Sequence, residues 1–315
     1  MRHILTVDQF TPQILEMIIQ KSEYHRLKMC QRIISNIPPA HGKLLTNLFY
    51  EPSTRTSSSF YSAMIKLGGH VIPINDVTFS SVVKGETLED TIRTLECYSD
   101  VIVLRHKEVG AAQRAAAVSS VPIINAGDGV GEHPTQALLD FYTILSERGW
   151  ANSGGISKRK PIEDFINENL TVTLMGDLKH GRTVKSLAKL LRMYNVKINW
   201  VSPEELKIPE EFLYPTDSQH TNLNKVIKDT DVLYVVRTQF ERFVNEGFKL
   251  DTISYNVTEK HMAKAKSNMV LMHPLPRTEE LPTSLDSDPR SAYFRQMKYG
   301  LYIRMALLDM ILNIR

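Results

Sequence analysis

Eight short apolar runs constrain this chain more than any other feature. They are Leu44–Tyr50, His70–Ile74, Val101–Arg105, Val121–Asn125, Leu170–Gly176, Lys197–Ser202, Val232–Arg237 and Asn268–His273. Each is five to seven residues long and mainly apolar. Strands of that kind are buried on both faces, which is the condition of a parallel sheet. The stretches between them carry helical periodicity instead. Phe60, Met64 and Leu67 share one helical face, and Leu88, Ile92 and Leu95 share another. A third face holds Tyr293, Met297, Leu301, Met305, Leu308 and Leu312. Repeated alternation of strand and helix predicts an α/β fold with parallel, doubly wound sheets covered by helices on both faces.

The 315 residues are enough for two such units of similar size. A chain of this length buries most of its surface without a disulfide or metal staple. Residues 1–133 are expected to form the first unit and 134–288 the second, with a terminal helix over 289–315 returning to the first. The segment Trp150–Pro161 contains Asn152, Ser153, Gly154, Gly155 and Lys158-Arg159-Lys160, and reads as a solvated loop.

Composition removes several classes of function. The formal charge of +3, from 38 basic and 35 acidic residues, is too small to indicate nucleic-acid binding. No apolar stretch approaches the roughly 20 residues that span a bilayer, and the first residues lack the apolar core of a signal peptide. Cys30 and Cys97 show no metal-ligand spacing and are expected to be reduced and buried, in a cytoplasmic protein without a bound metal.

In doubly wound sheets, ligands bind beyond the carboxyl ends of the strands. The polar residues concentrate there. Glu51-Pro52-Ser53-Thr54-Arg55-Thr56 follows the first run and opens a helix. Unpaired N–H groups at a helix start, three hydroxyls and a guanidinium make a cradle for phosphate, although a plain capping cluster with a surface arginine has the same composition. No GxxxxGK[ST] or GxGxxG motif is present. Arg105-His106, Gly127-Asp128-Gly129 with His133-Pro134-Thr135-Gln136, Asp177 through Thr183, Arg237, and His273-Pro274-Leu275-Pro276-Arg277 follow later strands. Many cations against two aspartates, Asp128 and Asp177, point to an anionic ligand.

These motifs, in this order, resemble the aspartate/ornithine carbamoyltransferase family from about Leu5 to Leu312. Ser53-Thr54-Arg55-Thr56 is similar to its carbamoyl-phosphate signature. The His273-Pro274-Leu275-Pro276-Arg277 segment, with proline where ornithine enzymes typically carry cysteine, the Arg237–Arg242 segment and the missing Ser-Met-Gly motif resemble the aspartate branch. Gly127–Gln136 and Ala292–Gln296 look close to the carbamoyltransferase domain of the fused pyrimidine-pathway protein of animals and fungi.

The resemblance implies transfer of a carbamoyl group from carbamoyl phosphate to L-aspartate, an early step of pyrimidine biosynthesis, with no cofactor and no metal. It implies that Ser53, Thr54, Arg55, Thr56, Arg105, His133, Gln136, Leu275 and Pro276 bind carbamoyl phosphate. Ser80 and Lys84 would be lent by a neighbouring subunit of a homotrimer, so that sites are shared. Lys84, Arg182, Thr183, Arg237 and Gln239 would hold aspartate. Arg55, Thr56, Lys84, Arg105 and His133 would act on the reacting groups, with His133 as donor, base or both. Glu51, Glu241 and Arg242 would serve domain closure, Glu51 pairing with Arg182 and Arg242. Phe240 departs from the lysine common in relatives, and the Trp150–Pro161 loop is longer than usual. Fusion to other pathway domains, another amino-acid acceptor and a non-catalytic phosphate-binding paralogue remain open at this level.

Overall fold

The computed structural model describes residues 2–31, 38–75, 84–150, 160–166, 170–238 and 255–313. The chain forms two compact units, Met1–Leu139 with Met297–Arg315, and Asp140–Gln296. The sequence reading set the divides at 133 and 288. In the structure both fall inside continuous helices, where composition gives no signal.

In the first unit, β1 (Leu44–Phe49), β2 (His70–Ile74), β3 (Val101–His106) and β4 (Ile123–Asp128) form one parallel sheet in the order β2-β1-β3-β4. The helices α1 (Pro12–Cys30), α2 (Thr54–Lys66), α3 (Leu88–Glu96) and α4 (Ala111–Val118) belong to it, as does the start of α5 (Pro134–Glu147). Strands β1, β3 and β4 are almost wholly buried, in keeping with their mainly apolar runs. Strand β2 is the wet edge and tolerates Pro73. Leu48, Ile102, Leu104 and Ile123 pack against Leu88, Ile92, Leu95, Ala111 and Ala115, so α3 and α4 cover one face.

The second unit holds β5 (Thr171–Gly176), β6 (Lys197–Val201), β7 (Ser218–His220), β8 (Val232–Val236) and β9 (Val270–Met272), parallel in the order β7-β6-β5-β8-β9. Its helices are α6 (Ile162–Ile166), α7 (Arg182–Arg192), α8 (Glu259–Lys264) and the start of α9 (Tyr293–Leu312). Val201, Leu233, Val235 and Leu271 lie in one core with Met262, Leu281, Leu285 and Tyr293. The α9 stripe differs from expectation. Tyr293, Met305 and Leu308 are buried, but Met297, Leu301 and Leu312 are only partly so, and Tyr302–Asp309 is buried on all sides.

Two further expectations need correction. Cys30 and Cys97 are both exposed. Each ends a helix whose core-facing side is already filled by leucine and isoleucine, so neither thiol is needed inside. Strand β7 was not anticipated, because Ser-Gln-His carries no apolar signal.

Both sheets reverse their strand order once: between β1 and β3 in the first, and between β5 and β8 in the second. At the second reversal the backbones come close. Gly176 has φ +121° and pairs with Val236, whose carbonyl oxygen would lie 2.1 Å from an added Cβ. Gly176→Ala is therefore expected to cost roughly 2–4 kcal/mol. Gly149→Ala also acts at positive φ but meets no atom within 4 Å, and should cost about 1 kcal/mol. Urea titration of both variants checks this; equal losses would remove the close-approach explanation.

Candidate active site

In the first unit the strand-order reversal brings β1 and β3 side by side, with Phe49 level with Arg105. Ser53 occupies the N-cap of α2 in extended geometry, but its side chain makes no capping hydrogen bond. The first helical bond runs from Ser57 N–H to the Ser53 carbonyl, 3.2 Å. The N–H groups of Thr54, Arg55 and Thr56 thus lack intrahelical acceptors, with the positive end of the helix dipole behind them. Thr56 is buried, whereas Thr54 and Arg55 reach solvent. This is the arrangement that binds phosphate at helix starts.

Two residues that sequence reasoning missed secure this turn. Asn47, fully buried in β1, donates from Nδ2 to the Ser57 carbonyl at 3.1 Å. Ser57 Oγ donates to Asn75 Oδ1 at 2.5 Å. The available signal was one asparagine inside the otherwise apolar Leu-Leu-Thr-Asn-Leu-Phe strand.

Arg105 closes the other side of the reversal. Its Nε lies 3.3 Å from Glu51 Oε2, and its Nη1 donates to the Ala126 carbonyl at 3.4 Å. Burial pushes the guanidinium below its usual value, and the Glu51 carboxylate partly restores it. Arginine stays charged under such shifts. Glu51 therefore pairs with Arg105, a partner the sequence reading did not name. His133, nine-tenths buried or more at 3% exposure, immediately precedes α5, with Nδ1 3.4 Å from Thr135 Oγ1. Its carbonyl accepts from the Gln136 N–H at 3.0 Å, which seats Gln136 in the first turn. Asp128 supports this loop by accepting from the N–H groups of Gly110 and Glu132, at 3.0 and 2.8 Å. Burial lowers the pKa of His106, whose Nδ1 accepts from the Glu108 N–H at 3.0 Å, so this ring is neutral.

In the second unit, Gly176 and Val236 mark the reversal between β5 and β8. The chain beyond β5 forms a turn held by Asp177, whose Oδ1 lies 3.0 Å from both the backbone N and the ring Nδ1 of His180. Arg182 and Thr183 then open α7, again without a side-chain cap, because the N-cap is Gly181. Arg237 follows β8 directly, and Arg182, Thr183 and Arg237 are all partly exposed. Asp128 and Asp177 are thus engaged by local N–H groups.

Beyond β9, Leu275 has φ +57° and precedes a cis bond to Pro276. The Leu275 N–H donates to His273 Nδ1 at 2.8 Å, and His273 Nε2 lies 2.9 Å from Glu280 Oε1. Gln296 joins the His273 backbone to Asp140, which also accepts from the Tyr234 hydroxyl at 2.8 Å. Glu280 was missed in the sequence. Lys84 is exposed. Ser80, Gln239, Phe240, Glu241, Arg242 and residues 151–159 lie outside the described residues.

Residues 2–146 match the aspartate/ornithine carbamoyltransferase carbamoyl-P binding domain, and residues 168–311 the Asp/Orn binding domain. The chain belongs to the aspartate/ornithine carbamoyltransferase family. It is 45% identical over 319 residues to the multifunctional protein CAD of Squalus acanthias, which covers 99% of this chain but only 13% of that protein. It is 42% identical to the aspartate carbamoyltransferase catalytic subunit of Archaeoglobus fulgidus, covering 99% of both. Among solved structures, aspartate transcarbamoylase from Trypanosoma cruzi with N-(phosphonacetyl)-L-aspartic acid matches at TM-score 0.85 and 40% identity, covering 98% of this chain and 95% of that one.

Two outcomes follow from this geometry. Arg55→Ala and Arg105→Ala should each weaken inorganic phosphate binding about 10- to 100-fold, the worth of a charge-assisted contact, while Arg237→Ala leaves it unchanged. Calorimetric titration of the three variants checks this, and equal losses in all three would contradict it. The second concerns Glu280. Burial pushes its carboxyl up, but hydrogen bonds from His273 and from the Thr278 hydroxyl and N–H outweigh that and hold it at about 2, against 4.5 ordinarily. A depressed carboxyl pKa stabilises the fold above the unfolded value, near 4.5, and that contribution disappears as pH falls through about 2. Glu280→Gln should therefore lose roughly 2–3 kcal/mol relative to the parent at pH 6, and much less at pH 2 to 3. Paired denaturation curves at the two pH values measure this.

Proposed function

We infer that this chain transfers the carbamoyl group of carbamoyl phosphate to the amine of L-aspartate, giving N-carbamoyl-L-aspartate and phosphate. The observation that carries this reading is the placement of arginines at both strand-order reversals: Arg55 and Arg105 in the first unit, Arg182 and Arg237 in the second. One substrate is a mixed anhydride of carbamic and phosphoric acids and the other a dicarboxylate, so the reaction calls for two separate anion sites.

Carbamoyl phosphate is a mixed anhydride that brings its own leaving group. The aspartate amine attacks the carbonyl carbon, the C–O bond to phosphate breaks, and the departing phosphate accepts the amine proton. In the first unit, the hydroxyls and N–H groups of Ser53, Thr54 and Thr56, with Arg55, hold the phosphate. Thr56, Arg105 and His133 donate to the carbonyl oxygen as it gains charge, where preorganised donors contribute most. Gln136 and the Leu275 backbone accept from the carbamoyl NH₂, and Pro276 shapes that wall. Arg182, Arg237 and Gln239 take the two carboxylates of aspartate through bidentate pairing, with Thr183 assisting. Holding both reactants in register can supply roughly 7–11 kcal/mol.

The chain works as a homotrimer in the cytoplasm, with Ser80 and Lys84 given to a neighbour's site and Lys84 touching both substrates. The exposure of Lys84 supports that donation. Glu241 and Arg242 serve closure around bound aspartate, and Glu51 exchanges Arg105 for Arg182 and Arg242 as it proceeds. The chain functions within, or beside, other pyrimidine-pathway domains, a reading supported by the multifunctional relatives.

Incubation with carbamoyl phosphate and either aspartate or ornithine tests the reading. Carbamoyl-aspartate alone is expected. Product from ornithine would overturn the roles of Arg237 and Gln239, and no product from either would overturn the activity. Mixing Lys84→Ala with Arg105→Ala protein, each inactive alone, should restore part of the activity. No recovery after subunit exchange would contradict shared sites.

A further inference from the structure

His133 follows Glu132 directly, and Glu132 is held at three of its atoms. Its N–H donates to Asp128 Oδ1 at 2.8 Å, its carbonyl accepts the Asp128 N–H at 3.3 Å, and its Oε2 accepts the Val7 N–H at 2.6 Å. The first two bonds close residues 128–132 into a ring that starts at the end of β4. The third reaches 125 residues back along the sequence. On the far side of His133, its carbonyl accepts the N–H groups of Gln136 and Ala137, at 3.0 and 3.1 Å. All of these residues belong to the first unit.

The partner of that third bond is itself anchored. Residues 3–5 run parallel to β4, with Ile4 opposite Ile124. The Ile4 N–H donates to the Ile123 carbonyl at 2.9 Å, and the Asn125 N–H and Nδ2 donate to the carbonyls of Ile4 and Leu5, at 2.7 and 2.9 Å. The chain then enters a short 3₁₀ turn, Val7–Gln9. The N–H groups at such a start find no acceptor within the turn's own backbone. Gln9 Oε1 takes those of Leu5 and Thr6, at 2.6 and 3.0 Å, and Glu132 takes that of Val7. Val7 is fully buried, so the acceptor cannot be replaced by water without opening the core.

We propose that Glu132 is a positioning residue for His133: its bond to the Val7 N–H fastens the loop over residues 128–132 to the segment beside β4, and so fixes the backbone that carries His133. This rests on the carbamoyltransferase reading above, in which His133 donates to the carbonyl oxygen as it gains charge. A donor of that kind acts chiefly in the transition state, so the clamp governs the rate of transfer. The cradle at the start of α2, which follows β1, is no part of it.

Three replacements in the full chain separate this from a purely structural role. Glu132→Gln keeps an oxygen for the Val7 N–H and drops the charge. Glu132→Ala removes the acceptor. Val7→Pro removes the donor instead, at the first position of a turn and after an extended Thr6, φ −138° and ψ 163°, where proline is tolerated. For each, and for the Val7→Pro/Glu132→Ala double variant, kcat for carbamoyl-aspartate formation and affinity for inorganic phosphate are measured. The Ala and Pro variants should each lose about tenfold in kcat, the worth of one charge-assisted hydrogen bond. The double variant should fall no more than about twofold below either, because both remove the same bond. The Gln variant should stay within about threefold of the parent, and inorganic phosphate should bind to every variant like the parent. Where Glu132→Ala does not fold, Val7→Pro against Glu132→Gln gives the same comparison. A Gln variant as slow as Ala, losses that multiply in the double variant, an unchanged kcat in Ala or Pro, or a parallel loss of phosphate affinity overturns the proposal. If the parent chain forms no carbamoyl-aspartate, the underlying reading fails; if it does and the variants disagree with the order above, only the role of Glu132 fails.

Discussion

A parallel sheet opens a crevice at its carboxyl edge only where successive strands depart in opposite directions, because elsewhere the crossover connections cover that edge. Each sheet in this chain reverses once, and in each unit two arginines lie at or just beyond the ends of the strands that flank that place. In the first, the reversal puts the uncapped start of α2 beside Arg105 at the end of β3. In the second, it puts the uncapped start of α7 beside Arg237 at the end of β8. Both helices begin without a capping hydrogen bond from the N-cap side chain. The close approach of Gly176 to Val236 shows how tightly the second reversal is built.

The electrostatics follow from that placement. An arginine at a strand end is partly withdrawn from water, which costs free energy that a counter-charge must offset. Glu51 provides it for Arg105. A bound anion would compete with Glu51 for the same guanidinium, so this carboxylate is a natural exchange partner as ligand arrives. Asp128 and Asp177 do not oppose an anion, because each is engaged by neighbouring N–H groups that shape the loops before His133 and Arg182.

Much of this was legible in the residues because it depends on local rules. All eight apolar runs became strands, their ends shifted by at most three residues, since short apolar runs between helical stretches suit a parallel sheet. The polar strand ends and helix starts were also visible in the residues: Ser53 to Thr56, Arg105, His133, Arg182 and Arg237 all lie at or just beyond strand ends. What sequence did not disclose depends on geometry at a distance. Strand β7 is three polar residues recruited by its neighbour β6. Asn47 and Glu280 look like ordinary polar residues until the fold brings Ser57 and His273 to them. Cys30 and Cys97 illustrate the converse, since the general tendency of cysteine to be buried yields where other side chains fill the core first.

The central claim is that the two strand-order reversals hold the two anionic ends of the reacting pair. A crystal structure of this chain with N-(phosphonacetyl)-L-aspartic acid, which carries a phosphonate and two carboxylates in one molecule, tests it most directly. The expected density places the phosphonate at the start of α2, against Arg55 and Arg105, and the carboxylates against Arg182 and Arg237. A phosphonate bound away from the start of α2, or carboxylates that engage neither Arg182 nor Arg237, would contradict it.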